Sequence, residues 1–206
     1  MSTDEMTGVQ ALERIHPGLP LAPGKVERRE FEYIRHGTRT FILSRNVVTG
    51  EVVAPTCGPT RTEADFLTHL QAVVASAPQA LRFHIVCDNL NTHQSESLVR
   101  WVAHRSGLDL DVGIKGERGI LASMASRAAF LREPTHTVVF HYTPKHSSWM
   151  NQIEIWLSIL MRKLLKRGSF TSVAELEAKV LAFISYYNLT MAKPFKWTYQ
   201  GKALTA

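Results

Sequence analysis

The sequence lacks any long uninterrupted apolar run and contains only two cysteines. No stretch approaches the roughly 20 consecutive apolar residues that a membrane-spanning helix needs, and the acidic start of the chain does not resemble a signal peptide. Cys57 and Cys87 cannot build a disulfide framework or a four-thiolate zinc site. These absences predict a soluble, cytoplasmic protein with no membrane partner.

The rest of the composition is that of one folded domain. The chain has 206 residues, of which 45% are apolar and 20% are charged, enough to fill a single core and too apolar for a disordered protein. Lys and Arg number 24 against 18 Asp and Glu, giving a net charge of +6. This excess favours a polyanionic partner without establishing one.

The hydrophobic pattern predicts strands first and then strands alternating with helices. The strands are expected at 40–48, 51–57, 81–87 and 137–141, and the helices from Thr62 to just before Pro78, after Asn91, and at 148–167 and 172–188. Residues 106–134 are irregular apart from a helical patch at 120–131 and indicate an insertion before the last strand. The order predicts an α/β fold with a mixed sheet covered by helices on both faces.

Three carboxylates are candidates for chemistry. Asp88 directly follows a buried strand, where reactive side chains of α/β sheets collect. Glu154 is the only acid between Pro134 and Phe170, and at 100° per residue it lies on a polar helix face with Asn151. Asp4, at the start of the chain, is the third candidate.

Each carboxylate also has an ordinary structural interpretation. Asp88 and Asn89 could simply form a strand-to-helix turn, Glu154 could face solvent, and Asp4 is expected to be solvated and frayed. If the three converged, they would supply the hard oxygen ligands that Mg²⁺ or Mn²⁺ requires for phosphodiester chemistry, with two ions the expected number.

Two phrases resemble a known family. The segments VCDNLNTH (86–93) and HYTPKHSSWMNQIEIW (141–156) are similar to the catalytic domain of DDE-type transposases, in the bacterial insertion-sequence branch of the mariner-like superfamily. The second acid of that family lies in D-N-x-x-x-H and the third in S-W-x-N-x-x-E. Further similar phrases extend the resemblance over nearly the whole chain.

The resemblance implies a ribonuclease H-like fold with a five-stranded sheet and a metal-dependent triad of Asp4, Asp88 and Glu154. It implies supporting roles for Asn89, His93, Ser148 and Asn151. The expected partner is double-stranded DNA, as transposon ends and target, with a homodimer in the synaptic complex and association with the bacterial nucleoid. Basic residues that could follow the DNA are Lys145, Arg162, Lys163, Lys166 and Arg167.

Two departures from the family pattern keep alternatives open. The interval between Asp88 and Glu154 is longer than usual, which agrees with the insertion at 106–134. Few residues precede Asp4, so we expect that most of the first strand and the helix-turn-helix region are missing, the latter possibly encoded separately. The catalytic domain is then expected at 1–190, with a tail at 191–206.

The first alternative is a non-catalytic DNA-binding remnant, because a frayed Asp4 would lose the preorganisation that catalysis needs. The second is another ribonuclease H-like nuclease, such as a resolvase. The SWMNQIE phrase (148–154) argues against the second.

Overall fold

The computed structural model describes residues 1–28, 30–144, 147 and 150–196. The strands are β1 (Ser2–Arg14), β2 (Tyr33–Arg45), β3 (Val52–Gly58), β4 (Phe83–Cys87) and β5 (Val138–Tyr142). The α-helices are α1 (Glu63–Ala75), α2 (Glu96–Arg105), α3 (Met124–Leu131), α4 (Gln152–Leu160) and α5 (Val173–Thr190). Short 3₁₀ turns occupy Asn91–Gln94 and Gly119–Ala122, and a π-helical segment, Met161–Leu165, follows α4. Within the described residues, no helix is long and apolar enough to cross a membrane.

The five strands form one mixed sheet in the order β3-β2-β1-β4-β5. Strands β1, β2 and β3 pair antiparallel, whereas β4 pairs parallel with both β1 and β5. The predicted α/β, ribonuclease H-like architecture is therefore confirmed.

The hairpin between β2 and β3 turns at Gly50, in the gap between the strands predicted at 40–48 and 51–57. Gly50 has a φ of 84°, and its N–H donates to the Asn46 carbonyl at 2.7 Å. A Cβ atom at this position would lie only 2.0 Å from the carbonyl oxygen of Lys193. Both the positive φ and the close approach of a second backbone require glycine here.

Helices cover both faces of the sheet and create two cores. Helices α1, α2 and α3 pack on one face around Phe66, Leu98 and Phe140. Helices α4 and α5 pack on the other face around Phe41 and Trp156. Two of the candidate carboxylates, Asp4 and Asp88, lie near the C-terminal end of β4, between the two helical layers.

Strand β1 corrects the expectation for the start of the chain. The prediction that most of this strand is missing is wrong, because β1 spans 13 residues and lies at the centre of the sheet. Ser2 and Thr3 are almost fully buried, so the prediction of a solvated, frayed Asp4 is also wrong. Pairing with β2 on one side and β4 on the other overrides the weak strand propensity of this segment.

The helix predicted at 148–167 is shorter and less regular than expected. Asn151 has an extended backbone, with φ −79° and ψ 104°, and α4 begins only at the next residue. After Leu160 the chain continues as the π-helical segment, in which the Lys166 N–H donates to the Met161 carbonyl at 2.8 Å. Residues 145, 146, 148 and 149 lie outside the described residues.

The segment at 106–134 lies between α2 and β5 and contributes to the first core. Val112, Leu121 and Leu131 are buried in that cluster. The buried Arg127 guanidinium donates to the carbonyl oxygens of Leu121, at 3.1 Å, and Gln94, at 2.6 Å. The segment is thus tied to the turn that follows Asp88.

A buried histidine under α1 gives a prediction for stability. The imidazole of His69 is enclosed between the hydroxyl groups of Ser44, at 2.8 Å, and Thr56, at 3.1 Å, and burial lowers its pKa to about 3. Between that pKa and the ordinary value of 6.5, the unfolded chain binds a proton that the folded chain does not, so stability falls as the pH falls. Between pH 7 and pH 5, His69 should lower the unfolding free energy of the unmodified chain by about 1–2 kcal/mol. We expect His69→Gln not to show this decrease. Urea unfolding at both pH values measures this, and an unchanged pH dependence in the variant would contradict it.

Candidate active site

The register of two parallel strands brings Asp4 and Asp88 together. Ser2 on β1 is paired with Val86 on β4, and the Val86 N–H donates to the Met1 carbonyl at 2.7 Å. Moving two residues along both strands from this pair leads to Asp4 and Asp88. Because neighbouring strands are about 4.8 Å apart, the two residues lie at the same end of the sheet, close enough for the charge of Asp88 to contribute to the raised pKa of Asp4.

Glu154 reaches the same edge because α4 docks on the first residues of β1. The Ser2 hydroxyl donates to the Asn151 side-chain oxygen and accepts the Ile153 N–H at 2.8 Å. The Asn151 amide donates to the Thr3 carbonyl at 3.0 Å. Side chains alternate along a strand, so Asp4 faces the same side as Ser2 and the docked helix. Glu154, in the first turn of α4, is thereby placed beside Asp4.

Asp4 and Glu154 line a common cavity of about 470 Å³. The lining residues are Asp4, Glu5, Met6, Glu154, Leu157, Ser158, Met161 and Arg162. The cavity therefore combines carboxylates from β1 and α4 with a guanidinium from the π-helical segment. This is a suitable environment for a phosphate group held close to a cation.

Asp88 is held by a buried histidine. His93 Nδ1 lies 2.7 Å from Asp88 Oδ1, and its Nε2 lies 3.1 Å from Glu5 Oε1. Burial alone would lower the pKa of His93, but hydrogen bonds with Asp88, Cys87 and Glu5 outweigh it and raise the pKa to about 12. The imidazolium thus donates a hydrogen bond to each carboxylate, and the bond to Asp88 lowers the pKa of Asp88.

Glu5 follows Asp4 in the sequence, but its contacts could not be predicted from the sequence. Its side chain is only 2% exposed, and its contact with His93 joins residues 88 positions apart. Phe66 on α1 covers the His93 ring, with the ring centroids 4.2 Å apart. Glu5 and His93 therefore form a buried ion pair, and His93 in turn holds the Asp88 carboxylate by a hydrogen bond.

Asp4 has the opposite electrostatic environment. Burial raises its pKa to about 7, the backbone N–H of Glu5 opposes this shift, and the charges of Glu5 and Asp88 add to it. The Glu5 N–H lies 2.8 Å from Asp4 Oδ1. Asp4 is thus a carboxylate whose ionised form is disfavoured until a positive charge approaches.

Asn89 joins the loop after β4 to the end of β5. Its amide donates to the Thr143 carbonyl at 2.7 Å, and its side-chain oxygen accepts from Gln94 at 3.4 Å. Asn151, expected on a polar catalytic face, is instead buried against β1. Ser148 and Lys145 lie outside the described residues.

Basic residues lie on two sides of the carboxylates. Arg162, Lys163, Lys166 and Arg167 are exposed at the end of the α4 region, and Arg162 reaches the cavity. On the other side, the exposed Arg61 precedes α1 and is close enough to contribute to the lowered pKa of Asp88. Arg61 was not predicted, because only the packing of α1 on His93 brings it near Asp88.

The donor set fits a hard divalent cation. Asp4, Asp88 and Glu154 all offer carboxylate oxygens, which Mg²⁺ and Mn²⁺ prefer, and a cation would relieve the unfavourable ionisation of Asp4. Within the described part of the chain, no group of three or more His, Cys, Asp or Glu side chains is close enough to hold a metal ion as it stands. The three carboxylates share an edge of the sheet without forming a closed metal cage.

Comparison with known proteins agrees with this geometry. A family model described as DDE superfamily endonuclease matches residues 2–177 and so includes the three candidate carboxylates. Neither the curated proteins nor the solved structures gave a match. The match covers most of the chain and confirms the resemblance to DDE-type transposases at the level of the superfamily. This protein therefore belongs to the DDE superfamily endonuclease family.

Proposed function

We propose that the chain is the catalytic domain of a transposase from the bacterial insertion-sequence branch of the mariner-like superfamily. It would hydrolyse phosphodiester bonds at the ends of its element and join the released 3′-hydroxyl groups to target DNA at the nucleoid. The observation that supports this proposal is the register of β1 and β4, which puts Asp4 and Asp88 at the same end of the sheet, together with the cavity that Asp4 and Glu154 both line. A homodimer and a separately encoded DNA-binding half are the expected partners.

Asp4, Asp88 and Glu154 would hold one or two Mg²⁺ or Mn²⁺ ions. When bound, such ions supply charge stabilisation and an activated nucleophile for an in-line displacement at phosphorus. The chain's own residues do the positioning. His93 and Glu5 fix the orientation of Asp88, and Asn89 fixes the loop that carries it.

The basic residues would orient the DNA. Arg162 lies in the cavity wall next to Glu154 and is placed to contact the phosphate being cleaved, while Lys163, Lys166 and Arg167 extend the positive surface along the helix. Arg61 would contact the backbone on the side of Asp88. Such contacts position the duplex and do not read its sequence.

Neutral replacements of the carboxylates test the proposal. We expect Asp88→Asn and Glu154→Gln each to lower Mg²⁺- or Mn²⁺-dependent nicking of supercoiled plasmid at least about 1000-fold, because metal-ion catalysis contributes several kcal/mol to the barrier. Circular dichroism should show unchanged folding, since both side chains are partly exposed.

Matched controls use exposed carboxylates away from the site. Asp109→Asn and Glu133→Gln change the same charge and should leave nicking unaltered. Undiminished nicking by Asp88→Asn or Glu154→Gln would overturn the assignment. DNA binding without any metal-dependent nicking by the unmodified chain would favour the non-catalytic remnant.

A further inference from the structure

Two histidines lie next to each other on the face of β4 and β5 that is turned away from the first core. Phe83 and Ile85 belong to that core, so His84, which lies between them, points to the other face of β4. On β5, Phe140 belongs to the same core, so the next residue, His141, points to the same face as His84. Both histidines are exposed. Neighbouring strands therefore present two imidazole rings to solvent.

The strand register holds the two rings in contact. His84 is paired with Val139, and Val86 is paired with His141, so the histidines are diagonal neighbours across the parallel pair. His84 Nδ1 lies 2.9 Å from His141 Nε2, and the ring centroids are 5.1 Å apart. Because both residues belong to hydrogen-bonded strands, their Cα atoms cannot separate without breaking the ladder between β4 and β5.

The separation of the two facing nitrogens suits a shared metal ion. Imidazole nitrogens lie about 2.0–2.1 Å from a bound ion, so two of them at a right angle are about 2.9 Å apart. Right-angle positions are those of square-planar or tetragonal Cu²⁺ and Ni²⁺. In the metal-free protein one ring donates its N–H to the other. That ring can carry its hydrogen on its outer nitrogen instead, which leaves both facing nitrogens free to bind an ion.

The chemistry of this pair differs from that of the candidate active site. Partial burial and the charge of His84 lower the pKa of His141, so its imidazole is neutral near pH 7, as a metal ligand must be. Imidazole nitrogens suit Cu²⁺, Ni²⁺ and Zn²⁺, whereas carboxylate oxygens suit Mg²⁺ and Mn²⁺. The same chain therefore offers two donor sets with different preferences.

We propose that His84 and His141 form a second metal site, which binds Cu²⁺ or Ni²⁺ through two imidazole nitrogens and fixes β4 to β5. Water completes the coordination, since both rings are exposed. Strand β4 ends at Cys87, directly before Asp88. An ion bound across the two strands thus stabilises the part of the sheet that carries Asp88 without using its carboxylate.

Copper binding tests this site. Isothermal titration of the untagged chain with Cu²⁺ should give a Kd of about 1–100 µM. His84→Gln and His141→Gln should each raise that Kd at least about 10-fold, because each removes one of the two ligands. Electron paramagnetic resonance should show coupling of Cu²⁺ to imidazole nitrogens in the unmodified chain and weaker coupling in either variant. Cu²⁺ should also raise the melting temperature of the unmodified chain more than that of the variants.

The controls separate this site from other histidines and from the carboxylates. His104→Gln removes an exposed imidazole of α2 and should leave the Cu²⁺ Kd unchanged, as should Asp88→Asn or a large excess of Mg²⁺. Circular dichroism should show that all variants are folded. A Cu²⁺ Kd unchanged in both His84→Gln and His141→Gln, or displacement of Cu²⁺ by Mg²⁺, overturns the proposal. Mg²⁺-dependent nicking by His84→Gln should equal that of the unmodified chain, so the histidine site can fail while nicking activity is retained.

Discussion

Asp4→Asn should stabilise the metal-free protein while abolishing its DNA cleavage. Burial, together with the charges of Glu5 and Asp88, raises the pKa of Asp4 to about 7 from the usual 3.8. In the folded state the ionised carboxylate is therefore disfavoured relative to the unfolded chain. At a pH between 3.8 and about 7, the folded protein holds a proton on Asp4 that the unfolded chain has released. The contribution of Asp4 to stability is therefore lost as the pH rises through 7.

Asparagine has no such ionisation and keeps a similar shape. At pH 8 we expect Asp4→Asn to raise the free energy of unfolding by about 1–3 kcal/mol, after a discount for partial exposure. Near pH 3, where Asp4 is protonated in both states, the difference should disappear. Urea unfolding in the presence of a chelator, at both pH values, measures the effect.

The same substitution removes a proposed metal ligand. Mg²⁺ or Mn²⁺ should raise the melting temperature of the unmodified chain, because a ligand that binds only the folded state stabilises it, and this increase should vanish in Asp4→Asn together with nicking. Asp109→Asn, at an exposed site, is the matched control and should change neither quantity. Destabilisation of the metal-free protein by Asp4→Asn at pH 8 would contradict the electrostatic account.

The buried pair of Glu5 and His93 should have the largest effect on stability. Glu5→Ala leaves the His93 imidazolium without one of its partners in a fully buried position, and breaking a buried ion pair in this way costs about 3–5 kcal/mol. Glu5→Gln retains an oxygen that accepts from Nε2 and should cost clearly less. Chemical denaturation of both variants, in a double-mutant cycle with His93→Gln, measures the coupling.

The chain offers a control of the same chemistry on the same strand. Glu13 lies 2.7 Å from His36, but their side chains are 33% and 28% exposed, so Glu13→Ala should cost less than about 1 kcal/mol. Because His93 also orients Asp88, Glu5→Ala should weaken Mn²⁺ binding by about 10- to 100-fold, as loss of a residue supporting a metal ligand does. A cost for Glu5→Ala no larger than for Glu13→Ala would show that burial does not strengthen this pair.

Hydrophobic periodicity predicted the elements whose local pattern agrees with their final environment. Helix α1 begins after Thr62. The Thr62 side chain accepts the backbone N–H of Asp65, and the Asp65 side chain accepts the backbone N–H of Thr62. Strands β4 and β5 were predicted because each is a short, nearly continuous apolar run, which is typical of a strand buried on both faces. These elements are specified largely by their own residues.

Strand β1 could not be predicted in the same way. Its 13 residues include helix-favouring Met, Ala, Leu and Glu, and irregularities in its pairing with β2, between Met6 and Val9 and between Gln10 and Leu12, interrupt the alternation. Only its position between β2 and β4 makes it a strand. Because Asp4 lies on this element, its environment could not be derived from the sequence.

The carboxylates could be proposed from the sequence, but their supporting contacts could not. Asp88 and Glu154 stand in recognisable phrases, whereas Glu5 acquires its role only through His93, which is remote in sequence. Asn151 was assigned to an exposed polar face by helical geometry. It turns inward because the hydroxyl of Ser2 and the carbonyl of Thr3 need partners at the buried end of α4.

The contact of Arg127 with Gln94 determines which parts of the domain unfold locally together. Since the guanidinium is buried and its hydrogen bonds join two parts of the chain, neither part can detach without leaving a charged group unsatisfied in the core. The segment at 106–134 and the turn after Asp88 should therefore exchange their amide hydrogens as one cooperative unit. An insertion joined in this way could not be shortened freely during evolution, because each deletion would also loosen the loop that presents Asp88.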